Sequence, residues 1–138
     1  KEELKDVYID PIEMEALIEE YYSTDFISDK LAEMVQMIAV RLGLARNFYS
    51  YSFKTEMQGD AIVKMMTALR RKRFKCGLGY NPFSYFTTIA FHAFINRIKK
   101  EKKQRQVVSD YQEMVYDELA SEYKFANQSA GDVNIDEE

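Results

Sequence analysis

The segment from Asn81 to Arg105 constrains the fold of this chain more than any other. It opens with Asn-Pro, a strong start signal for a helix, and it places apolar residues on nearly every side of that helix. Five aromatic residues lie within a dozen positions, and a run of positive charge with a single acid follows. Because one core needs only one apolar stripe, such a helix is either deeply buried or faces a second partner.

Charge is distributed unevenly along the 138 residues, whose formal net charge is -4. Between Lys64 and Arg105, twelve Lys or Arg residues and one acid, Glu101, give a local charge of +11. The other seven bases and twenty-two acids give -15. A polyanion responds to the local field, so this asymmetry favours a nucleic-acid partner. The alternative is a solvated helix face, although such faces normally mix both signs.

Composition predicts an all-α protein. Only five Gly and two Pro interrupt a sequence rich in Met, Ala, Leu, Lys and Glu, and the length suits one domain with a real core. A single cysteine, Cys76, excludes an internal disulfide and fits a reducing compartment. No apolar run approaches the roughly 20 residues needed to span a bilayer, so no membrane partner is expected.

Five segments carry the apolar spacing of amphipathic helices. In chain order they begin at Pro11, at Ser28 or Asp29, near Lys54, at Asn81-Pro82 and beyond Arg105. The third is expected to run to about Phe74. After residue 126 the sequence becomes polar and acidic. We therefore predict a compact helical domain of about five helices over residues 1–126, followed by a flexible acidic tail over residues 127–138.

No residue pattern typical of catalysis is evident. The one histidine, His92, lies in the aromatic helix without a nearby cysteine or paired carboxylates. Cys76 follows Lys75, and basic neighbours can lower a thiol pKa, but a lone loop thiol is usually incidental. Gly77-Leu-Gly79 lacks the strand and the Lys-Ser/Thr of a phosphate-binding loop. We predict a protein that is not an enzyme and that needs no metal or cofactor.

Several of these segments together resemble a known family. Phe83-Ser-Tyr-Phe-Thr-Thr, running through Ile95-Asn-Arg97, is similar to the promoter-melting segment of bacterial primary-type sigma factors, and a basic-aromatic stretch and a short loop precede it as in that family. More narrowly, the chain resembles the late-transcription sigma factors of T-even-type bacteriophages over roughly residues 30–106. The matching segments are Ile38-Ala39, Arg46-Asn-Phe48, Lys54-Thr-Glu-Met57 with Asp60, and Arg97-Ile-Lys-Lys-Glu101.

The resemblance implies a sigma region 2-like domain in the cytoplasm of the infected bacterial host. Such a protein directs the host RNA polymerase core to phage late promoters and melts an AT-rich, −10-like element, without catalysis of its own. Two other classes remain open. One is a stand-alone helical nucleic-acid-binding regulator that does not bind RNA polymerase. The other is a structural interaction protein whose aromatic helix is simply core.

The resemblance also assigns a polymerase-binding face to the third helix, which would dock on the clamp-helix coiled coil of the β′ subunit. The positions that match are Glu56, Asp60, Val63, Met66 and Thr67. Glu56 and Asp60 stand at i and i+4, on one face of the helix. The alternative is that they are ordinary solvated acids near a helix N-terminus, where the helix dipole favours them.

By the same resemblance, the fourth helix meets the nontemplate strand of promoter DNA. Phe86 matches an aromatic residue that stacks on a flipped base, with Ala90, Ala93 and Arg97 on the same side, and Asn96 is placed to reach a base edge or sugar. Six cations are expected to neutralise phosphates: Arg97, Lys99, Lys100, Lys102, Lys103 and Arg105. Four apolar residues are expected in the core: Phe83, Phe91, Phe94 and Ile98.

The sequence departs from the primary sigma factors in one place that matters. Those proteins carry a tryptophan pair that wedges open the duplex, where this chain has Ile89 and Ala90 and contains no tryptophan. Melting is therefore expected to depend more on Phe86 and on other proteins. The phage relatives are recruited by the phage sliding clamp and work with a late co-activator. The acidic segment Asp132–Glu138 matches their clamp-binding tail only faintly.

Overall fold

The computed structural model describes the backbone of residues 8–130 and the side chains of residues 8–122. All regular secondary structure in this range is helical, which confirms the all-α prediction for this part of the chain. The four helices are α1 (Pro11–Thr24), α2 (Asp29–Gly43), α3 (Lys54–Arg70) and α4 (Pro82–Ala130). The Asp132–Glu138 segment, predicted as a degenerate clamp-binding tail, lies outside the described residues.

Three of the helices begin at side-chain caps. The Asp10 carboxylate accepts a hydrogen bond from the Ile12 N–H at 3.1 Å, the Ser28 hydroxyl accepts one from Leu31 at 3.2 Å, and the Asn81 side-chain oxygen accepts one from Ser84 at 3.1 Å. Each cap satisfies a backbone N–H that has no partner within the first turn. Pro11 and Pro82 each occupy the first helical position, where a missing N–H is harmless. The predicted starts are confirmed at these positions.

Helix α4 is one continuous helix where two were predicted. It passes Arg105 without a break and ends at Ala130, four residues into the predicted tail. No Gly or Pro occurs between Phe83 and Ala130, and the Lys, Arg, Glu and Gln residues over 99–106 are good helix formers. The prediction of a separate fifth helix is wrong because the charged run changes the polarity of the surface without breaking the backbone.

The chain divides into two compact units, with the boundary between Ile98 and Lys99. In the first unit, α1 packs on α2 and α2 packs on α3. Part of α4 closes this core with apolar residues at helical spacing: Phe86, Ala90, Ala93, Phe94 and Ile98. Phe48, in the α2–α3 connection, is also buried, and its ring lies 5.0 Å from that of Phe94. The second unit is helical from Lys99 to Ala130, and most of its described side chains are exposed.

Tyr22 fixes the connection between α3 and α4 to the first helix. Its hydroxyl donates a hydrogen bond to the Phe74 carbonyl at 3.0 Å, and the Phe74 side chain is itself buried. The ammonium group of Lys72 lies 5.9 Å from the centre of the Tyr22 ring, within the range of a cation–π contact. Partial burial is the main reason that the pKa of Tyr22 is raised from 10.0 to about 12.

This shift predicts a loss of stability at alkaline pH. The unfolded chain ionises Tyr22 near pH 10, whereas the folded chain resists ionisation until about pH 12. The stability that neutral Tyr22 contributes is therefore fully present below pH 10 and is lost as the pH rises toward 12. We expect Tyr22→Phe to lower the free energy of unfolding by about 0.5–1.5 kcal/mol at neutral pH, because the variant lacks the hydrogen bond to the Phe74 carbonyl. The free energy of unfolding, measured with urea, should then fall less steeply with pH for the variant than for the wild type between pH 10 and about pH 12. Equal slopes would contradict this assignment.

Candidate nucleic-acid interface

A groove opens in the first unit where the α3–α4 connection meets the first turns of α4. Its volume is about 410 Å³, within the range of small-molecule binding clefts. Two cations, two tyrosines, one buried phenylalanine and three neutral polar residues line it: Arg73, Lys75, Tyr80, Tyr85, Phe74, Asn81, Ser84 and Thr88. Flat rings beside positive charge suit a ligand that is both planar and anionic, as a nucleotide is.

The path of the connection creates this groove. After α3 ends, Lys72 adopts a left-handed conformation with φ of 53°, and the Arg73 N–H donates to the Ala68 carbonyl at 2.9 Å, which closes the helix end. Gly77 and Gly79 also have positive φ, 83° and 84°, a region that glycine enters without steric cost. These turns lead the chain back to Asn81, whose cap starts α4 along one side of the groove.

The Tyr85 side chain, on the aromatic side of the groove, packs against two buried rings. The Tyr85 ring lies 5.3 Å from that of Phe74 and 5.1 Å from that of Phe86, and both phenylalanines are buried. Tyr80 is different, since 60% of it is exposed to solvent. The groove therefore combines one tyrosine fixed by packing with one tyrosine whose surface is largely available to a ligand.

The residues that line the groove carry no negative formal charge, although Glu15 and Glu19 of α1 lie beside the connection at Cys76. Arg73 and Lys75 are exposed, as are the neighbouring Arg71 and Lys72. No acidic residue occurs in the sequence between Asp60 and Glu101. The connection and the first turns of α4 therefore carry only positive formal charge of their own, which favours an anion at the groove.

The predicted base-stacking face of α4 is packed in the core. Phe86, Ala90 and Ala93 are 0%, 0% and 4% exposed, so this side of the helix faces the core and not a ligand. Phe94 and Ile98 are buried as expected, but Phe91, predicted as core, is 40% exposed, and Phe83 is only partly buried. The helix is apolar on nearly every side, so the sequence pattern alone does not determine which side faces the core.

Two predicted contact residues pair with each other. Arg97, predicted to contact DNA, and Asp60, predicted to contact polymerase, form a bidentate ion pair. The Arg97 Nε and Nη2 atoms lie 2.7 and 3.0 Å from the two carboxylate oxygens of Asp60. The Arg97 side chain is 19% exposed and that of Asp60 is 37% exposed. This pair joins α3 to α4, and Asp60 is therefore engaged within the protein.

The other predicted contact residues lie at the surface or partly so. On α3, Glu56 and Val63 are exposed, whereas Met66 and Thr67 are partly buried. Asn96 is exposed on α4. The predicted phosphate contacts of the second unit are all exposed: Lys99, Lys100, Lys102, Lys103 and Arg105. Their binding roles stay predictions.

A small cluster of potential metal ligands lies beside the same connection. Donor atoms of Glu15, Glu19 and Cys76 all lie within 4.8 Å of one another. Burial, followed by the charges of Glu19 and Glu15, raises the pKa of the Cys76 thiol, the opposite of the lowering that its basic sequence neighbours favoured. Glu15 already accepts a hydrogen bond from the Gly77 N–H at 2.6 Å. Sequence spacing did not reveal this cluster, because the fold brings α1 to a distant loop.

The residues that line the groove were mostly missed in the sequence. The available signals were the basic-aromatic stretch Arg70–Phe74 and the tyrosine that follows Gly79, but neither defines a cavity alone. Comparison with protein-family models gives no match, and comparison with curated proteins gives none. Within the described range, no helix has the length and apolar character to cross a membrane. The geometry by itself defines a helical fold over residues 8–130 with a cationic, tyrosine-lined groove.

Proposed function

We propose that this protein is a sigma factor that directs a host bacterial RNA polymerase core to phage late promoters and opens an AT-rich, −10-like element. The observation that carries the proposal is the groove between the α3–α4 connection and α4, where tyrosines and cations converge. The sequence resemblance to phage late sigma factors over roughly residues 30–106 supports the same function. In this account the protein has no catalytic activity and needs no cofactor.

The groove would hold one unstacked base of the nontemplate strand. Removing a base from the duplex costs a few kcal/mol, and stacking on an aromatic side chain returns about 1–3 kcal/mol per base. Tyr80 and Tyr85 take the stacking role that the sequence assigned to Phe86. The two rings that pack against Tyr85, those of Phe74 and Phe86, are buried. The Tyr85 ring is therefore held in place before the ligand binds, which lowers the entropic cost of binding.

Polar groups in the groove favour an amino-bearing base edge. The Thr88 hydroxyl donates its hydrogen to the Ser84 carbonyl at 2.9 Å, so toward a ligand its oxygen acts as an acceptor. Adenine, cytosine and guanine all present an amino donor, whereas thymine does not, and of these three bases adenine suits an AT-rich element. Arg73 and Lys75 are then the groups that neutralise the phosphates flanking the bound base.

The basic run of the second unit gives a separate contribution to DNA affinity that does not depend on the DNA sequence. Lys99, Lys100, Lys102, Lys103 and Arg105 are exposed, and such cations bind phosphates by releasing condensed counterions. Binding through them should weaken steeply as salt rises. The sliding clamp and a late co-activator are further partners in this account, as the resemblance implies.

The exposed face of α3 is the proposed contact with the β′ clamp helices. Glu56 and Val63 are seven residues apart, two helical turns, and Val63 is 63% exposed without a packing role to explain it. We expect Glu56→Lys combined with Val63→Glu to weaken binding to RNA polymerase core at least about tenfold, because truncating or reversing contacts at the centre of an interface costs upward of 1 kcal/mol per residue. Co-sedimentation with purified core measures this.

The matched control is Glu33→Lys, which reverses an exposed acid on α2. It should bind core as the wild type does. Asp60 is left unchanged, since its replacement would remove the bidentate ion pair that joins α3 to α4 and confuse folding with docking. Wild-type binding by the double variant would remove this face from the interface. If the wild-type protein itself does not bind core but binds nucleic acid, the stand-alone regulator becomes the better account.

A further inference from the structure

The helix of the second unit carries an apolar stripe that is largely exposed among the described residues. Five of its members are between 47% and 62% exposed: Val107, Val108, Tyr111, Met114 and Leu119. With the partly buried Val115, positions 107, 111, 115 and 119 are four residues apart and positions 108, 111 and 114 are three apart, which places them along one side of the helix. An isolated helix is marginally stable in water, and most helical stability comes from burying such a stripe. A partner that buries this stripe would therefore stabilise the helix.

Charge along the same helix is divided into two blocks. Residues 99–105 contain five Lys or Arg and one acid, whereas residues 106–122 contain five acids and no Lys or Arg. A second copy aligned in parallel would place like charges side by side. A second copy aligned antiparallel would place each basic block against the acidic block of the other. The segment is thus electrostatically complementary to itself in one orientation only.

The apolar stripe agrees with this orientation. In an antiparallel pair centred on Tyr111, residues equally distant from Tyr111 stand at the same height. Val107 then meets Val115 of the other copy, and Val108 meets Met114. Lys100 and Glu122 are each eleven residues from Tyr111, so Lys100 stands opposite Glu122 of the other copy. From Lys100 to Glu122 the helix spans about 33 Å, or about three heptads, which is sufficient for a coiled-coil contact.

We propose that two copies of this chain associate through an antiparallel, two-fold symmetric contact of residues 100–122, with the axis passing beside Tyr111. Such a contact is isologous, since each copy presents the same surface. Nucleic acid complements only the basic block and leaves the apolar stripe exposed, so it does not account for the whole face. The association engages Lys100 and Lys103, so nucleic acid and a second copy compete for this block. The proposal does not depend on polymerase binding.

Sedimentation equilibrium of the full chain, from micromolar to submillimolar concentration, tests the pairing. Lys100→Glu with Lys103→Glu lowers the net charge of residues 99–105 from +4 to 0, and Glu118→Lys with Glu122→Lys changes that of residues 106–122 from -5 to -1. Each variant alone should dimerise at least about tenfold more weakly than the wild type, because the two blocks then attract each other less and positions 100 and 122 carry like charges. An equimolar mixture of the two should recover dimers. A wild-type chain that stays monomeric, or a mixture that recovers nothing, overturns the proposal.

A covalent test locates the axis. In a Cys76→Ser background, Tyr111→Cys places one thiol per copy at the two-fold axis, whereas Glu113→Cys points away from the stripe. Mild oxidation should cross-link the first variant rapidly and the second at least about tenfold more slowly. Equal rates would show that Tyr111 does not lie at the contact.

Discussion

Replacing Phe86 by alanine is expected to lower the free energy of unfolding of the first unit by about 3–5 kcal/mol. The side chain is fully buried, and its ring contacts those of Tyr85 at 5.1 Å and Phe74 at 6.1 Å. Truncation removes this apolar surface from the core and leaves a cavity that the surrounding rings fill only in part. Since domains are usually stable by about 5–15 kcal/mol, the variant should melt far below the wild type.

Phe91→Ala is the matched control for this prediction. It removes the same ring from the same helix, but from a position that is 40% exposed, with edge contacts to Phe48 at 5.7 Å and to His92 at 6.2 Å. Its cost should be much smaller. Urea unfolding followed by circular dichroism measures both. If the two variants were equally stable, the rotation of α4 described here would be incorrect, and Phe86 would again be available to stack on DNA.

Replacing Tyr80 by alanine is expected to weaken binding to an AT-rich single-stranded oligonucleotide by about five- to 150-fold, which corresponds to about 1–3 kcal/mol for one stacked base. Tyr80 lines the groove and is 60% exposed, so its removal should leave the stability of the domain nearly unchanged. Fluorescence anisotropy at fixed salt measures the affinity. The wild-type affinity should also fall as salt rises, because the adjacent cations bind phosphates.

Tyr49→Ala separates this effect from a general loss of aromatic surface. Tyr49 is 57% exposed in the connection between α2 and α3, and it does not line the groove. Its replacement should leave the affinity unchanged. A loss of affinity in Tyr49→Ala equal to that in Tyr80→Ala, or no loss in either, would mean that the groove does not hold the base.

The starts of the helices could be predicted from the sequence because they depend on local chemistry. Asp10, Ser28 and Asn81 each cap the helix that follows, and two of these residues precede a proline. The continuity of α4 was also available locally, in the absence of Gly and Pro after Pro82. The sequence prediction ends the fourth helix at the charged run, although Lys, Arg, Glu and Gln favour helix.

The rotation of α4 could not be predicted locally, because Phe86 and Phe91 lie on different sides of a helix that is apolar on both. What decides between them is tertiary packing: Phe74 and Tyr85 enclose Phe86, whereas Phe48 covers only an edge of Phe91. The pairing of Asp60 with Arg97 is equally non-local, since it joins residues 37 positions apart. The family resemblance assigns each residue to an external partner, and nothing in either sequence neighbourhood indicates that the two residues pair with each other.

The groove depends on a turn that sequence patterns describe poorly. Lys72 takes a left-handed conformation that glycine or asparagine usually occupies, and this conformation redirects the chain toward Arg73 and Lys75. The tyrosines that complete the groove then come from beyond two glycines. Basic and aromatic residues were visible in the sequence, but their convergence on one cavity required the fold.

Permanganate reactivity of thymines in a phage late promoter, incubated with host RNA polymerase core and this protein, tests the proposed function most directly. The wild-type protein should make thymines of the −10-like element reactive only when core is present, with the sliding clamp and late co-activator supplied. Tyr80→Ala should still co-sediment with core but leave these thymines largely unreactive. A promoter that stays closed with the wild-type protein, or one that opens equally well with Tyr80→Ala, would contradict the account.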